Sequence, residues 1–138
     1  MEKTLSLVKP DATSKGAIGA ILAHFEKEGL KIVALKMLSL SENKAAEFYA
    51  IHQHLPFFAE LVAFMSSGPI VALVLQGAEA VQRVRKIMGA TDPKKAAPGT
   101  LRYLYGESVG ENAVHGSDSL ENAKKEIGFF FEEQDLFA

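Results

Sequence analysis

Thr4-Leu5-Ser6-Leu7-Val8 alternates polar and apolar positions and predicts a strand. Lys9-Pro10-Asp11 ends it, because proline brings no ladder donor. Ile18, Ile21, Leu22 and Phe25 recur at helical spacing and predict a helix over 17–27, stopped by Gly29. A longer strand follows over 30–40. Ser41 is placed to cap a helix running from Glu42 to about His52. Pro56 opens a further helix with Phe57, Leu61 and Phe64 or Met65 on one face. The uninterrupted run Ile70-Val71-Ala72-Leu73-Val74-Leu75 predicts a central strand covered on both faces. Over 79–88 a helix turns Val81, Val84 and Met88 inward, and Gly89 ends it. Residues 101–119 show little periodicity and much turn chemistry, and read as a long irregular connection of the kind that often carries function. Asp118 or Ser119 caps a last helix with Glu121 in its first turn and Ile127 pointing inward. This order predicts an α+β sandwich, a small antiparallel or mixed sheet with helices on one face.

At 138 residues the chain makes one domain, 1–138, large enough to bury a core. The net charge of -2 argues against a general nucleic-acid coat, so any anion site must come from a few placed cations. Without cysteine there is no disulfide framework, thiol nucleophile or zinc–thiolate site. Met1-Glu2-Lys3-Thr4 runs into a strand with no apolar leader, and no apolar run reaches membrane-spanning length. The expectation is a soluble cytoplasmic protein with no membrane contact.

The candidate chemistry centres on Asn112-Ala113-Val114-His115-Gly116-Ser117-Asp118-Ser119. Imidazole titrates near neutrality, and either ring nitrogen can act as a nucleophile. Gly116 allows a sharp turn, and Asn112, Ser117 and Asp118 bring groups that can fix the ring's tautomer. No P-loop and no GxGxxG follows a strand, so a phosphate site must be assembled from separate elements. Lys9 at a strand end, Arg85 late in a helix, and Thr91 and Arg102 in the loop region are the candidates. Taken singly, Arg85 and Arg102 read more readily as exposed, solubilising charges than as phosphate ligands. A Ser117-His115-Asp118 hydrolase is a rival, weakened by the absence of a nucleophile elbow. His52-x-His54 fits a polar helix end better than a metal site, and Phe129-Phe130-Phe131 fits packing or a subunit interface.

These blocks together resemble the nucleoside diphosphate kinase family. The resemblance runs from Thr4 to Phe131 through Val8-Lys9-Pro10-Asp11, Pro56-Phe57-Phe58, Ser67-Gly68-Pro69, Gly89-Ala90-Thr91-Asp92-Pro93, Pro98-Gly99-Thr100-Leu101-Arg102 and the Asn112-to-Ser119 signature. It implies a ferredoxin-like fold with a four-stranded antiparallel sheet covered by helices. It also implies ping-pong transfer of a γ-phosphate, mainly from ATP, to nucleoside or deoxynucleoside diphosphates. Carried over by position, His115 becomes the phosphorylated residue, Lys9 faces the phosphoryl group, and Tyr49 lies near both. Arg85, Thr91 and Arg102 hold the α- and β-phosphates, with Mg2+ carried by the phosphates and no protein metal ligands. Asn112 and Lys9 meet the sugar 3′-hydroxyl, and Gly116 lies at the nucleotide. Phe57 stacks on the base, with Leu61 and Val109 lining the same cleft. Glu126 bonds Ser117 or His115. Without the resemblance, Phe57 reads as core, Tyr49 as a half-buried helix residue and Glu126 as an exposed acid. The family is homo-oligomeric, built from dimers into tetramers or hexamers. One rival keeps the pocket as a nucleotide-binding regulator without turnover. The chain departs from the family pattern at Leu104, where an aspartate is usual two residues after the arginine.

Overall fold

The computed structural model describes all 138 residues. Four strands, β1 (Glu2–Val8), β2 (Lys31–Leu38), β3 (Ile70–Gly77) and β4 (Val114–Gly116), form one sheet in the order β2-β3-β1-β4. Every pairing is antiparallel, which is the four-stranded ferredoxin-like arrangement expected. The helices are α1 (Pro10–Ser14), α2 (Ile18–Lys27), α3 (Glu42–Phe48), α4 (Phe58–Met65), α5 (Ala80–Met88), α6 (Leu101–Tyr105) and α7 (Leu120–Phe130). No helix is long and apolar enough to cross a membrane.

The helices cover both faces of the sheet, not one. The continuous apolar run of β3 explains this, because successive side chains on a strand point to opposite sides. Val71, Leu73 and Leu75 pack with Ile21 and Phe25 of α2 and Val84 and Met88 of α5. Ile70, Ala72 and Val74 pack with Ala45 of α3, Met65 of α4 and Phe130 of α7. The aromatic run is therefore packing: Phe130 and Phe131 are buried, and Phe129 meets Phe48 edge-on at 5.3 Å.

Residues 101–119 are more regular than their pattern predicts. Thr100 caps α6 by accepting a hydrogen bond from the Tyr103 N–H. β4 is only three residues long, too short to show a period, and is held by pairing with Ser6–Val8 of β1. The helix expected to reach His52 ends at Phe48, and a 3-10 turn over Ala50–His52 continues it. The helix expected from Pro56 begins at Phe58, with Phe57 as its N-cap. Ser119, not Asp118, caps α7.

Candidate active site

His115 sits in the middle of β4, paired across the ladder with Leu7, and so faces the α3–α7 side. Its ring packs edge-on against Phe48 at 5.4 Å and Tyr49 at 5.9 Å. Its Nε2 lies 2.9 Å from Glu126 Oε1 on α7, and the Ser117 hydroxyl donates to the same oxygen at 2.8 Å. The carboxylate thus accepts the Nε2 proton, and Nδ1 is left with its lone pair and no partner in the chain.

Gly116 lies in the strand and makes no sharp turn. Its need for glycine is closeness: a Cβ there would fall 2.7 Å from the Met88 Cε and 3.2 Å from Val84 Cγ1. The turn comes three residues earlier. Ala113 has φ +73°, and Val114 N–H donates to Asn112 O at 2.9 Å, which closes a strained γ-turn. Positive φ in a residue with a Cβ costs about 1–2 kcal/mol. The end of β1 and the start of α1 hold it: Lys9 N–H donates to Ala113 O at 2.8 Å, and Asp11 Oδ2 accepts from Ala113 N–H at 3.0 Å.

Lys9 is 6% exposed, and its ammonium donates to Asn112 Oδ1 at 2.9 Å. The other end of the Asn112 amide donates to Thr91 O at 3.0 Å, which fixes its orientation. Burial pulls the Lys9 ammonium down from 10.5 to about 8, against the raising charge of Asp11 and with Arg102 adding to the fall. Arg102 donates to Gly89 O at 3.1 Å and Val114 O at 2.9 Å, tying the loop after α5 to the histidine strand. Burial, then the neighbouring Arg85, lowers the Arg102 guanidinium to about 10, still charged at neutral pH. Burial, with Glu126 adding, holds the Tyr49 phenol above its ordinary range. Tyr49 stands beside His115, while the hydrogen bonds of Lys9 go to Asn112 and Gly110.

Beside Lys9 opens a cleft of about 580 Å3, within the usual size of a small-ligand site. Phe57 and Leu61 line one side, and Val109 and Gly110 the other. Phe57 is 50% exposed, so its helical spacing misleads: it belongs to a wall, not the core. Arg85, late in α5, is near enough to act electrostatically on both Arg102 and Asp118. Thr91 enters the cluster through its carbonyl to Asn112. The hydrolase alternative fails on geometry: the Ser117 hydroxyl is bonded to Glu126, and Asp118 is exposed and accepts from Asn122 at 2.6 Å. Leu104 is 49% exposed beside exposed Tyr103, and nothing in the structure explains the leucine. The residue missed from sequence is Asp11, 7% exposed. Its signal was Pro10, which favours the first helical position and so puts Asp11 in a first turn rather than a strand exit.

A basic, partly buried cluster beside a half-apolar cleft suits an anion joined to a flat ring. The family model described as nucleoside diphosphate kinase matches residues 2–136. A nucleoside diphosphate kinase of Nitratiruptor is 56% identical over 136 residues, 99% of each chain. One from Chlamydia abortus is 59% identical over 136 residues, 99% of this chain and 96% of that one. Among solved structures, the Aquifex aeolicus enzyme superposes with a TM-score of 0.96 at 51% identity, covering 98% of both chains. A Halobacterium salinarum enzyme solved in complex with CDP gives 0.95 at 45%, covering 99% of this chain and 91% of that one. The chain belongs to the nucleoside diphosphate kinase family.

Proposed function

We propose that this nucleoside diphosphate kinase works by ping-pong transfer through a phosphohistidine at His115. The observation that carries the reading is the one-sided bonding of the ring: Nε2 is committed to Glu126, and Nδ1 is unpartnered. Nδ1 attacks the γ-phosphorus of a nucleoside triphosphate, mainly ATP. The bond from that phosphorus to the bridging oxygen breaks, and a nucleoside diphosphate leaves. A second nucleoside or deoxynucleoside diphosphate then attacks the phosphohistidine, the N–P bond breaks, and the lone pair returns to Nδ1. Glu126 stays on Nε2 and stabilises the positive ring. Ser117 holds Glu126 in place. Phosphoryl transfer asks mainly for positioning and charge, which Lys9, Arg85 and Arg102 supply. In this mode Thr91 and the two arginines take the α- and β-phosphates, Gly116 lies alongside, and Lys9 with Asn112 takes the 3′-hydroxyl. That the Halobacterium enzyme was solved in complex with CDP supports a nucleotide as the ligand.

The donor set is cationic beside the histidine, with no carboxylate cage, and so suits a metal carried on the nucleotide. Magnesium would there come with the nucleotide, held by no protein carboxylate, and would neutralise part of the phosphate charge beside Arg85 and Arg102.

The test is a split reaction. The protein is mixed with γ-labelled ATP and Mg2+, freed of nucleotide, and then given GDP. Acid-labile, base-stable label on the protein that moves to GTP is the expected result. No label and no exchange would reduce the chain to a nucleotide-binding protein.

Two further results are expected. Lys9 is charged below its pKa, so kcat/KM should hold level up to about pH 8 and fall above it. Phosphate in the site favours the ammonium, so kcat should break at higher pH than kcat/KM. Profiles that stay flat to pH 10 would remove Lys9 from the charge count. Phe57→Ala should raise KM about 10-fold, with kcat changed far less, because stacking is worth about 1–3 kcal/mol and acts on bound substrate throughout. Equal losses with purine and pyrimidine diphosphates would mark Phe57 as a stacking platform without base preference.

A homo-oligomer built from dimers is part of the same reading. Exposed Leu35 and Met37 on the edge strand β2 support it. Light scattering on the purified protein separates tetramer from hexamer.

A further inference from the structure

We propose that Asp11 is the positioning residue of this site: its carboxylate holds the strained turn from which Asn112 and His115 are presented, and its charge faces the buried Lys9 ammonium. The turn is short of support. Ala113 has positive φ and no glycine freedom, and its peptide unit is gripped from two sides by a single piece of chain. Lys9 N–H takes the carbonyl, and Asp11 Oδ2 takes the N–H at 3.0 Å. Asn112, one residue before the turn, holds the Lys9 ammonium, and His115 stands two residues after it. A shift of Ala113 therefore disturbs both the proposed nucleophile and the hydrogen bond that holds the Lys9 ammonium.

The charge matters separately from the hydrogen bond. Asp11 is 7% exposed, and its Oδ1 has no partner at all. A buried carboxylate left half unpaired carries a charge-burial cost that an amide of the same shape, though equally unpaired at that atom, would not. Its retention fits an electrostatic task. The charged groups acting on Lys9 are Asp11 from α1, Glu111 from the segment before β4 and Arg102 from α6, and Glu60 of α4 lines the same cleft. Asp11 and Glu111 favour the ammonium, while burial and Arg102 oppose it. Asp11 is the largest of the favourable charges. Without it, Lys9 should lose its proton at lower pH and so be partly neutral where the enzyme works.

The inference rests on the phosphohistidine reading, and the experiment separates the two. Asp11→Asn keeps an acceptor for Ala113 N–H and removes the charge. Asp11→Ala removes both. Each is followed by single-turnover labelling from γ-labelled ATP across pH, and the Lys9 13Cε resonance is titrated by NMR without nucleotide. The expected result for Asp11→Asn is labelling close to wild type below neutrality, an alkaline fall that starts at lower pH, and a Lys9 titration displaced the same way. Asp11→Ala should lose about 10²-fold in labelling rate at every pH, the size of loss expected from ångström-scale misplacement, with nucleotide KM little changed. An Asp11→Asn variant whose alkaline fall and Lys9 titration both superimpose on wild type overturns the proposal. If Asp11→Ala does not fold, the Asn variant alone decides. A wild-type chain that takes no label overturns the phosphohistidine reading instead, and the Lys9 titration still judges Asp11.

Discussion

His115→Ala should abolish nucleotide exchange, by on the order of 10⁴-fold or more, because the proposed covalent route has no other nucleophile. No other side chain stands in its place: Ser117 is fully buried and bonded to Glu126, and the Tyr49 phenol is held in its neutral form. The fold should survive. The variant gives up edge contacts to Phe48 and Tyr49 and one hydrogen bond, about 1–2 kcal/mol in all. Glu126 keeps its second partner, the Ser117 hydroxyl, so its carboxylate is not stranded. Circular dichroism unchanged, no acid-labile label, and exchange at background is the expected set. Exchange at the wild-type rate would sink the covalent mechanism.

Lys9→Met should cost about 10²–10³-fold in kcat, the usual loss when one preorganised charge at the reacting group is removed. Its second effect has the opposite sign. At pH 7 the ammonium is protonated both folded and unfolded, so the native state carries the full cost of burying it. Methionine removes that cost and fills similar space, at the loss of the bond to Asn112 and the longer one to Gly110, worth about 2 kcal/mol together. The variant's Tm should therefore equal or exceed wild type at pH 7. The linkage sets the pH window. The folded pKa, about 8, lies below the ordinary 10.5, so between them the unfolded chain binds the extra proton. Wild-type stability gains from this group as pH rises through that window, and the variant's advantage should shrink from pH 8 upward. A variant much less stable than wild type at pH 7 would mean that Lys9 is a structural cation, not one kept for chemistry.

The central layers were legible because their periods are long and clean. β1, α2, β3 and α5 announce themselves by alternation, helical spacing or unbroken apolar runs. β4 was not, because Val114-His115-Gly116 holds too few residues for a pattern, and its existence depends on a partner more than a hundred positions away. The same distance hides the bond that Asp11 accepts from Ala113, and even the 12 positions between Arg102 and Val114 hide theirs: a spacing pattern reports faces, not partners. Phe57 shows the opposite failure. Its spacing is that of a core residue, yet it caps α4 at the cleft and stays half exposed. What chemistry could be read came from residue type at His115 and Lys9, while the pairing with Glu126 came only from family likeness.

The two sides of the cleft differ in how freely they can change over generations. On the phosphate side, Lys9, Asn112 and Ser117 are 6%, 3% and 0% exposed and are bonded into the backbone of neighbouring strands and loops. On the other, Phe57 and Val109 are 50% and 57% exposed, and substitutions at such places usually shift stability by no more than about 0.5 kcal/mol. Descendants of this chain are thus free to vary the base wall at little cost to folding, while Asn112 and Ser117 answer to the fold as well as to the chemistry, and Lys9 to the chemistry alone.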